Sequence, residues 1–490
     1  MRSAIFPLRV ALLAGLSFAL SACGKGDQQA MKVVVIGDPA SPFATGPTLS
    51  PAAQLLRGAT AEGLVTLDAD GKVVTALADR WIVTDDGQSY IFRLRDANWP
   101  DGTKLTGESV RAALHQAMAE VQGTPLALDL TAIEEVRAMA GRVVEIRLTR
   151  PMPDFLQLLA QPELGLTHRG KGTGPMALKR EDGLAWLTPI PPEKRGLPMV
   201  DDWQQLTRPV ALTAQPGAAA VAAFVAGKAD IVLGGTFADF SRMNGGAMGK
   251  GTARFDAVSG LFGLIVERDE GMLAIAQNRE AVAMAIDRAA LATRLAVPGF
   301  VPTTRIVAPG LDGDPGLVGE RWADYDMDGR HTLAAQRIAG WVKFSGKPAH
   351  LRIALPDGPG ANALAERLTL DLATIGVVME RVAPGAVADL RLIDAVARYP
   401  APAWFFNQLA CAIRRPCSAT ADALATKAGA ADPAHAPALY AEAEREMAKA
   451  NLFIPLGMPV RWSLGNANVP GFAPNRWGVH PLFPLANRVR

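Results

Sequence analysis

The residues that could do chemistry are few and badly spaced for it. Six histidines, at positions 115, 168, 331, 350, 435 and 480, are scattered along 490 residues. None lies at ligand spacing from a cysteine, so no metal site is expected. Gly249-Lys250-Gly251 suggests a phosphate loop, but the pattern fails twice. Asn244 stands where the first glycine is needed, and Gly251 where Ser or Thr would bind magnesium. Gly170–Gly174 does not complete a dinucleotide fingerprint and reads as a joint. Ser259 lacks the preceding glycine of a nucleophile elbow. Asp85-Asp86 and Asp201-Asp202 lie in turn contexts, where carboxylates are normally solvated. No catalytic constellation results. The chain is read as non-enzymatic, with no cofactor.

Composition narrows the classes further. Lys and Arg total 50 against 48 Asp and Glu, a formal charge of +2. A nucleic-acid binder usually shows a concentrated basic surplus, and a polybasic membrane patch is equally missing. Hydrophobic residues make up 49%, enough for packed cores. At about 100–200 residues per domain, several domains are expected. Val10–Leu20, after Arg2 and Arg9, is too short to span a ~30 Å hydrocarbon core. A charged start, a short apolar run and small residues after it describe a secretory signal. The exit Leu20-Ser21-Ala22-Cys23-Gly24 resembles the bacterial lipobox, so residues 1–22 read as a signal peptide with lipidation at Cys23. The alternative is an ordinary cut after Ala22. Residues 23–30 read as a tether. Cys411 and Cys417 would then be an exported pair, disulfide-bonded or left as two thiols.

These side chains need elements to place them. Met31–Ile36 is an apolar run closed by Gly37-Asp38-Pro39 and reads as a buried strand. Residues 48–63 have a helical cast. Two hairpin signals follow, around Asp68-Ala69-Asp70-Gly71 and Asp85-Asp86-Gly87. Tyr90, Phe92 and Leu94 alternate with Arg93 and Arg95. Thr106 is an N-cap candidate for a helix through Val121, with Glu108 in its first turn. Val143–Leu148 is a strand, Ala218–Ala226 a helix, and Ala229–Leu233 a strand. Asn278 is expected to cap a helix running to about Leu295. Leu364, Leu368, Leu372 and Ile375 recur at helical spacing with Gly376 as the stop, between strands Leu351–Leu355 and Val377–Val382. Ala436–Ala450 is a helix ending at Asn451, and Phe453–Pro459 is extended. The alternation says α/β.

Taken together, the segments resemble extracellular solute-binding proteins of the oligopeptide/dipeptide (peptide/nickel) type that serve ABC importers. Glu62–Asp68 and Ala76–Trp81 begin the match, and Asp86–Arg95 continues it. Trp99-Pro100-Asp101-Gly102-Thr103 and Leu105–Val110 complete the block. Weaker matches follow at Gly172–Pro175, Ala226–Asp230, Asn278–Arg288, Leu439–Met447 and Ile454–Leu456. The resemblance implies a periplasmic binding protein-like α/β fold of two hinged lobes plus an extra domain. Domain I would comprise residues 31–62, 171–255 and 470–490. Domain II would be an insert of 63–170, and domain III would be 256–469. A solute would lie between domains I and III and be enclosed by hinge closure.

The departures concern the ligand. Peptide-binding members carry an Asp-Tyr-x-acid-Pro segment whose Asp holds the peptide ammonium. Here the stretch is Ala397-Arg398-Tyr399-Pro400-Ala401-Pro402. Arg398 would repel an ammonium and suit a carboxylate or phosphate. It could also face solvent or pair with Asp394, which is itself a displaced anchor candidate. Tyr399 belongs to the same segment. Trp404, Phe405, Phe406, Phe262 and Trp477 are open to core packing as well as to a ligand platform. Gly260–Leu264 matches a strand that lines the cleft in the family. The ligand-binding set is therefore Arg398, Asp394, Tyr399, Trp404, Phe262 and Gly260.

The resemblance implies a lipid-anchored periplasmic receptor that captures a peptide or peptide-like solute. Its partners would be that solute and the importer's permease and ATPase; it would be monomeric and bind no nucleic acid. The alternatives are a receptor for a non-peptide, carboxylate-bearing solute, and an envelope lipoprotein that keeps the fold without transport. Gly24 leaves the choice between inner and outer membrane open.

Overall fold

The computed structural model describes residues 30–244, 252–311, 314, 316, 318–466 and 469–488. The signal segment, Cys23 and the Gly249–Gly251 motif lie outside the described residues.

Met31–Ile36 forms the centre of a seven-stranded sheet. Val33, Val34 and Val35 are all buried, as a strand covered on both faces requires. It pairs in parallel with Val210–Gln215 and Ile231–Gly235. Antiparallel strands extend both edges. One edge carries the hairpin Met176–Glu181 and Leu184–Pro189. The other carries Arg461–Gly465 and Thr252–Asp256. Helix Pro51–Thr60 packs on this sheet and starts at Ser50, whose hydroxyl accepts from the Ala53 amide.

A four-stranded antiparallel sheet follows, ordered Ala78–Val83, Ser89–Leu94, Val143–Leu148, Ile133–Ala138. Tyr90, Phe92 and Leu94 face its core and Arg93 is exposed, as the alternation predicts, but Arg95 is buried and paired with Glu62. Helix Gly107–Glu120 covers it. Thr106 caps that helix, and the reciprocal partner is Ser109, so both ends of a capping box are satisfied by hydroxyls.

The third main sheet has five strands: Val378–Val382, His350–Ala354, Leu390–Val396, Gly260–Val266 and Phe453–Gly457. His350–Ala354 and Val378–Val382 are parallel and joined by helix Pro359–Thr374. Leu364, Leu368 and Leu372 of that helix are fully buried, and Gly376 at φ +77° ends it.

One expected helix is two. Ala276–Ala285 stops at Ile286, whose backbone is extended, and Arg288–Leu295 begins afresh. The cap is Asp287, whose carboxylate accepts from the Ala289 and Ala290 amides. The buried Asp371 carboxylate accepts from the Asp287 amide and holds the break open. Asn278 caps nothing; it lies inside the first turn and donates to the Met272 carbonyl. The hairpin at 176–189 and the helix Met327–Ser345 carry weak patterns. The hairpin's second residue onward, Ala177–Glu181, is exposed, and the helix buries only Ala334 and Ile338.

The chain passes between the seven- and five-stranded sheets through two short connections, residues 257–259 and 458–460. Both sheets thus abut across a narrow two-strand waist. Gly260 stands at the exit of the first connection. A Cβ there would lie 2.0 Å from the Ala395 carbonyl oxygen, so no other residue fits without moving the neighbouring strand.

Candidate functional site

Between the two large sheets lies a cavity of about 510 Å³. That is within the range of small-molecule sites. One wall comes from helix Pro51–Thr60, with Leu55 and Gly58 turned to the cavity. The opposite wall is the end of strand Leu390–Val396 and the turn after it. The short strand Val65–Leu67 and the segment Trp477–Val479 close the sides. Trp477 is fixed there by donating from Nε1 to the Gly71 carbonyl at 2.9 Å.

The strand wall offers main chain as well as side chains. Its ladder to Gly260–Val266 is antiparallel, and the Ala397 amide donates to the Ser259 carbonyl. Alternation then gives that ladder residues 393, 395 and 397. The main chain of Asp394 and Val396 faces the other edge. There the strand His350–Ala354 pairs only with Leu390 and Arg391. The Asp394 carbonyl accepts from Arg461 Nη2 at 3.1 Å.

Two ion pairs sit at this wall. Arg398 Nη1 donates to Glu163 Oε2 at 2.7 Å and Nη2 to Oε1 at 2.8 Å. Nη1 also donates to Gln161 Oε1 at 2.9 Å. The Arg398 side chain is 21% exposed and Glu163 only 2%. Gln54 of the opposite helix donates to the same carboxylate at 3.0 Å. Burial pushes the Glu163 carboxyl up, but the Arg398 charge and hydrogen bonds outweigh it and hold it below its ordinary value. Asp394 Oδ1 accepts from Arg461 Nη1 at 2.7 Å, both side chains being 17% exposed.

A third carboxylate lies behind the wall. Asp129, at the end of helix Pro125–Asp129, is buried. Its Oδ1 accepts from the Tyr399 hydroxyl at 2.8 Å and from Asn407 Nδ2 at 2.7 Å. Its Oδ2 has no hydrogen-bond partner among the described residues. Burial raises its pKa to about 7, against the pull of those two donors.

The expected ligand set therefore divides. Arg398, Asp394 and Trp404 border the cavity. Trp404 is also core: it is buried edge-on against Phe405 at 5.0 Å. Tyr399 does not border the cavity; its ring is buried and its hydroxyl donates to Asp129. Phe262 does not border the cavity either. It sits behind the wall, between Phe237 at 4.9 Å and Phe300 at 5.6 Å. Gly260 serves the connection between sheets and does not border the cavity. Arg398 does not pair with Asp394, as spacing allowed; each finds a partner from distant chain. Glu163, Gln161, Arg461 and Gly58 were not legible as site residues. Glu163 and Arg398 are 235 positions apart. No local pattern reports such a pairing.

Cys411 and Cys417 are joined by a disulfide just after helix Pro402–Leu409, which carries Trp404 and Asn407. Among the described residues no cluster of His, Cys, Asp and Glu is placed to hold a metal ion. None of the described helices is long and apolar enough to cross a membrane.

Residues 72–191 match the family model of the bacterial extracellular solute-binding proteins, family 5, middle part. A probable deoxycholate-binding periplasmic protein of Escherichia coli, YgiS, is 34% identical over 122 residues, 21% of this chain and 23% of that protein. The matched stretch thus spans about a quarter of the length of the curated relative. In the solved structures the likeness is of fold. Haemophilus influenzae OppA, in complex with the peptide RPPGFSPFR, superposes with a TM-score of 0.78 at 16% identity, covering 93% of this chain and 98% of that one. The Escherichia coli murein tripeptide binding protein MppA gives 0.78 at 18% identity, covering 92% and 97%.

Proposed function

We propose that this chain, whose residues 72–191 match the family 5 model, is an extracellular solute-binding protein of that family that captures a peptide or peptide-like solute and hands it to an ABC importer. The observation that carries the reading is the cavity between two sheets that the chain crosses through two short connections. Such a waist lets two lobes swing together over a solute and exclude water. The free main chain of Val396 gives the solute hydrogen bonds along the strand edge. The apolar wall supplies burial. The role is capture rather than catalysis. Its partners are the solute and the importer's permease and ATPase. The protein works as a monomer in the periplasm, tethered through a lipid on Cys23.

The rival reading, a carboxylate held by Arg398, is less well supported. Glu163 already takes two of the guanidinium's donors in a bidentate grip. A solute carboxylate would have to compete with it.

Thermal unfolding of the purified protein tests the proposal. The panel is di- to pentapeptides, free and terminally blocked, and small carboxylates. A bound solute at 100 times its dissociation constant adds about 2.7 kcal/mol of stability. A clear upward shift with at least one peptide is expected. A flat response to the whole panel contradicts the reading and favours an envelope lipoprotein that keeps the fold without transport.

A further inference from the structure

The charges at the cavity cancel one another. Asp394, Arg398 and Arg461 are the charged residues among the described lining residues. Arg461 holds Asp394, and Arg398 holds Glu163 directly behind the wall. Asp129 is turned away, toward Tyr399 and Asn407. A solute bearing an ammonium finds no unpaired carboxylate to receive it. A solute bearing a carboxylate finds no unpaired guanidinium. Either one must break a pair or be buried without a counter-charge, and both are costly.

What the wall has to spare is neutral hydrogen bonding. A guanidinium has five N–H donors. Arg398 spends three, on Gln161 and both oxygens of Glu163. Arg461 spends three, on Asp394 Oδ1, the Val460 carbonyl and the Asp394 carbonyl. Donors remain on each, beside the free main chain of Val396. Around them Leu49, Leu55, Val65, Leu67, Trp404 and Trp477 supply apolar surface.

We infer that the cavity selects an uncharged, acceptor-bearing solute with an apolar body, such as a peptide whose two ends are blocked or joined. The inference rests on the reading above and specifies its solute class. Glu163 and Asp394 are then specificity residues. Each silences an arginine that would otherwise draw an acid.

The test is calorimetric titration of the full protein with four forms of one body. They are N-acetyl-trileucine amide, trileucine amide, N-acetyl-trileucine and trileucine. The doubly blocked form should bind at least tenfold tighter than the three that carry a charge. In Glu163→Gln the freed Arg398 should reverse this order in favour of N-acetyl-trileucine. Asp394→Asn frees Arg461 and should act in the same direction, should the first variant fold poorly. The inference is overturned if a charged form binds the wild-type protein tightest. It is equally overturned if the order survives in every variant that folds, or if none of the four forms binds. In that last case the wider panel separates the two claims: a shift with some other peptide keeps solute capture and removes only the neutral-solute class.

Discussion

Two buried carboxylates lie near one arginine, and their pKa values shift in opposite directions. Glu163 and Asp129 are both buried, and both lie near Arg398. Glu163 is gripped by the guanidinium through two oxygens and stays below its ordinary pKa. Among the described residues Asp129 meets only a phenol and an amide and leaves one oxygen unpartnered, and it rises to about 7. Burial is common to both; the charge of the hydrogen-bond donor differs. Glu163 is therefore charge-fixed, and Asp129 is proton-dependent.

The sharpest way to break this comparison is to remove the shared arginine. Arg398→Ala leaves Glu163 buried without its partner, which should cost about 3–5 kcal/mol of unfolding free energy. Urea denaturation at neutral pH measures it. A loss below about 1 kcal/mol, the size typical of exposed pairs, would mean that water replaces the arginine.

The proton at Asp129 comes next. An acid whose pKa is raised from 3.8 to about 7 binds its proton more tightly in the fold than in the unfolded chain. Its contribution therefore favours the fold at acid pH and is lost as pH climbs from about 4 to about 7. Asp129→Asn keeps an oxygen for Tyr399 and Asn407 but removes the proton. The difference between wild-type and variant stability should drift by roughly 3 kcal/mol across that window. Parallel profiles would place Asp129 at an ordinary pKa and erase the contrast with Glu163.

Two smaller effects sharpen the picture. The disulfide pins the end of the helix that brings Asn407 to Asp129. Replacing both cysteines by serine should lower stability by about 2 kcal/mol, the range for a short closed loop. Asp394→Asn should cost about 1 kcal/mol or less, because this pair is partly exposed. Its arginine also keeps the Val460 and Asp394 carbonyls. A loss as large as that of Arg398→Ala would show that the two pairs are equally desolvated.

Much of the framework was legible because it depends on neighbours in sequence. The apolar run Met31–Ile36, the cap at Thr106 and the stop at Gly376 are local signals, and each forms the element it predicts. The helix from Asn278 was misread because its break depends on Asp371, a buried carboxylate from another element. The site was legible only in part for the same reason. Arg398, Asp394 and Trp404 stood out by type. Their partners Glu163 and Arg461 arrive from remote segments, and nothing near 163 or 461 announces them. Tyr399 and Phe262 have the chemistry of a ligand platform. Their orientation is set by Asp129, Phe237 and Phe300, which only the tertiary structure brings to them.

The central claim is that the solute sits between the two large sheets, and Gly58 gives direct access to it. Gly58 lies within helix Pro51–Thr60 and borders the cavity. A Cβ built there meets nothing within 4 Å. Gly58→Trp should fill the cavity and leave the helix at least as stable, since glycine is the poorer helix former by roughly 0.5 kcal/mol. Titrated with whichever peptide stabilises the wild-type protein most, the variant should lose at least a hundredfold in affinity while its ligand-free melting temperature holds or rises. An undiminished affinity in a well-folded Gly58→Trp protein would contradict the account.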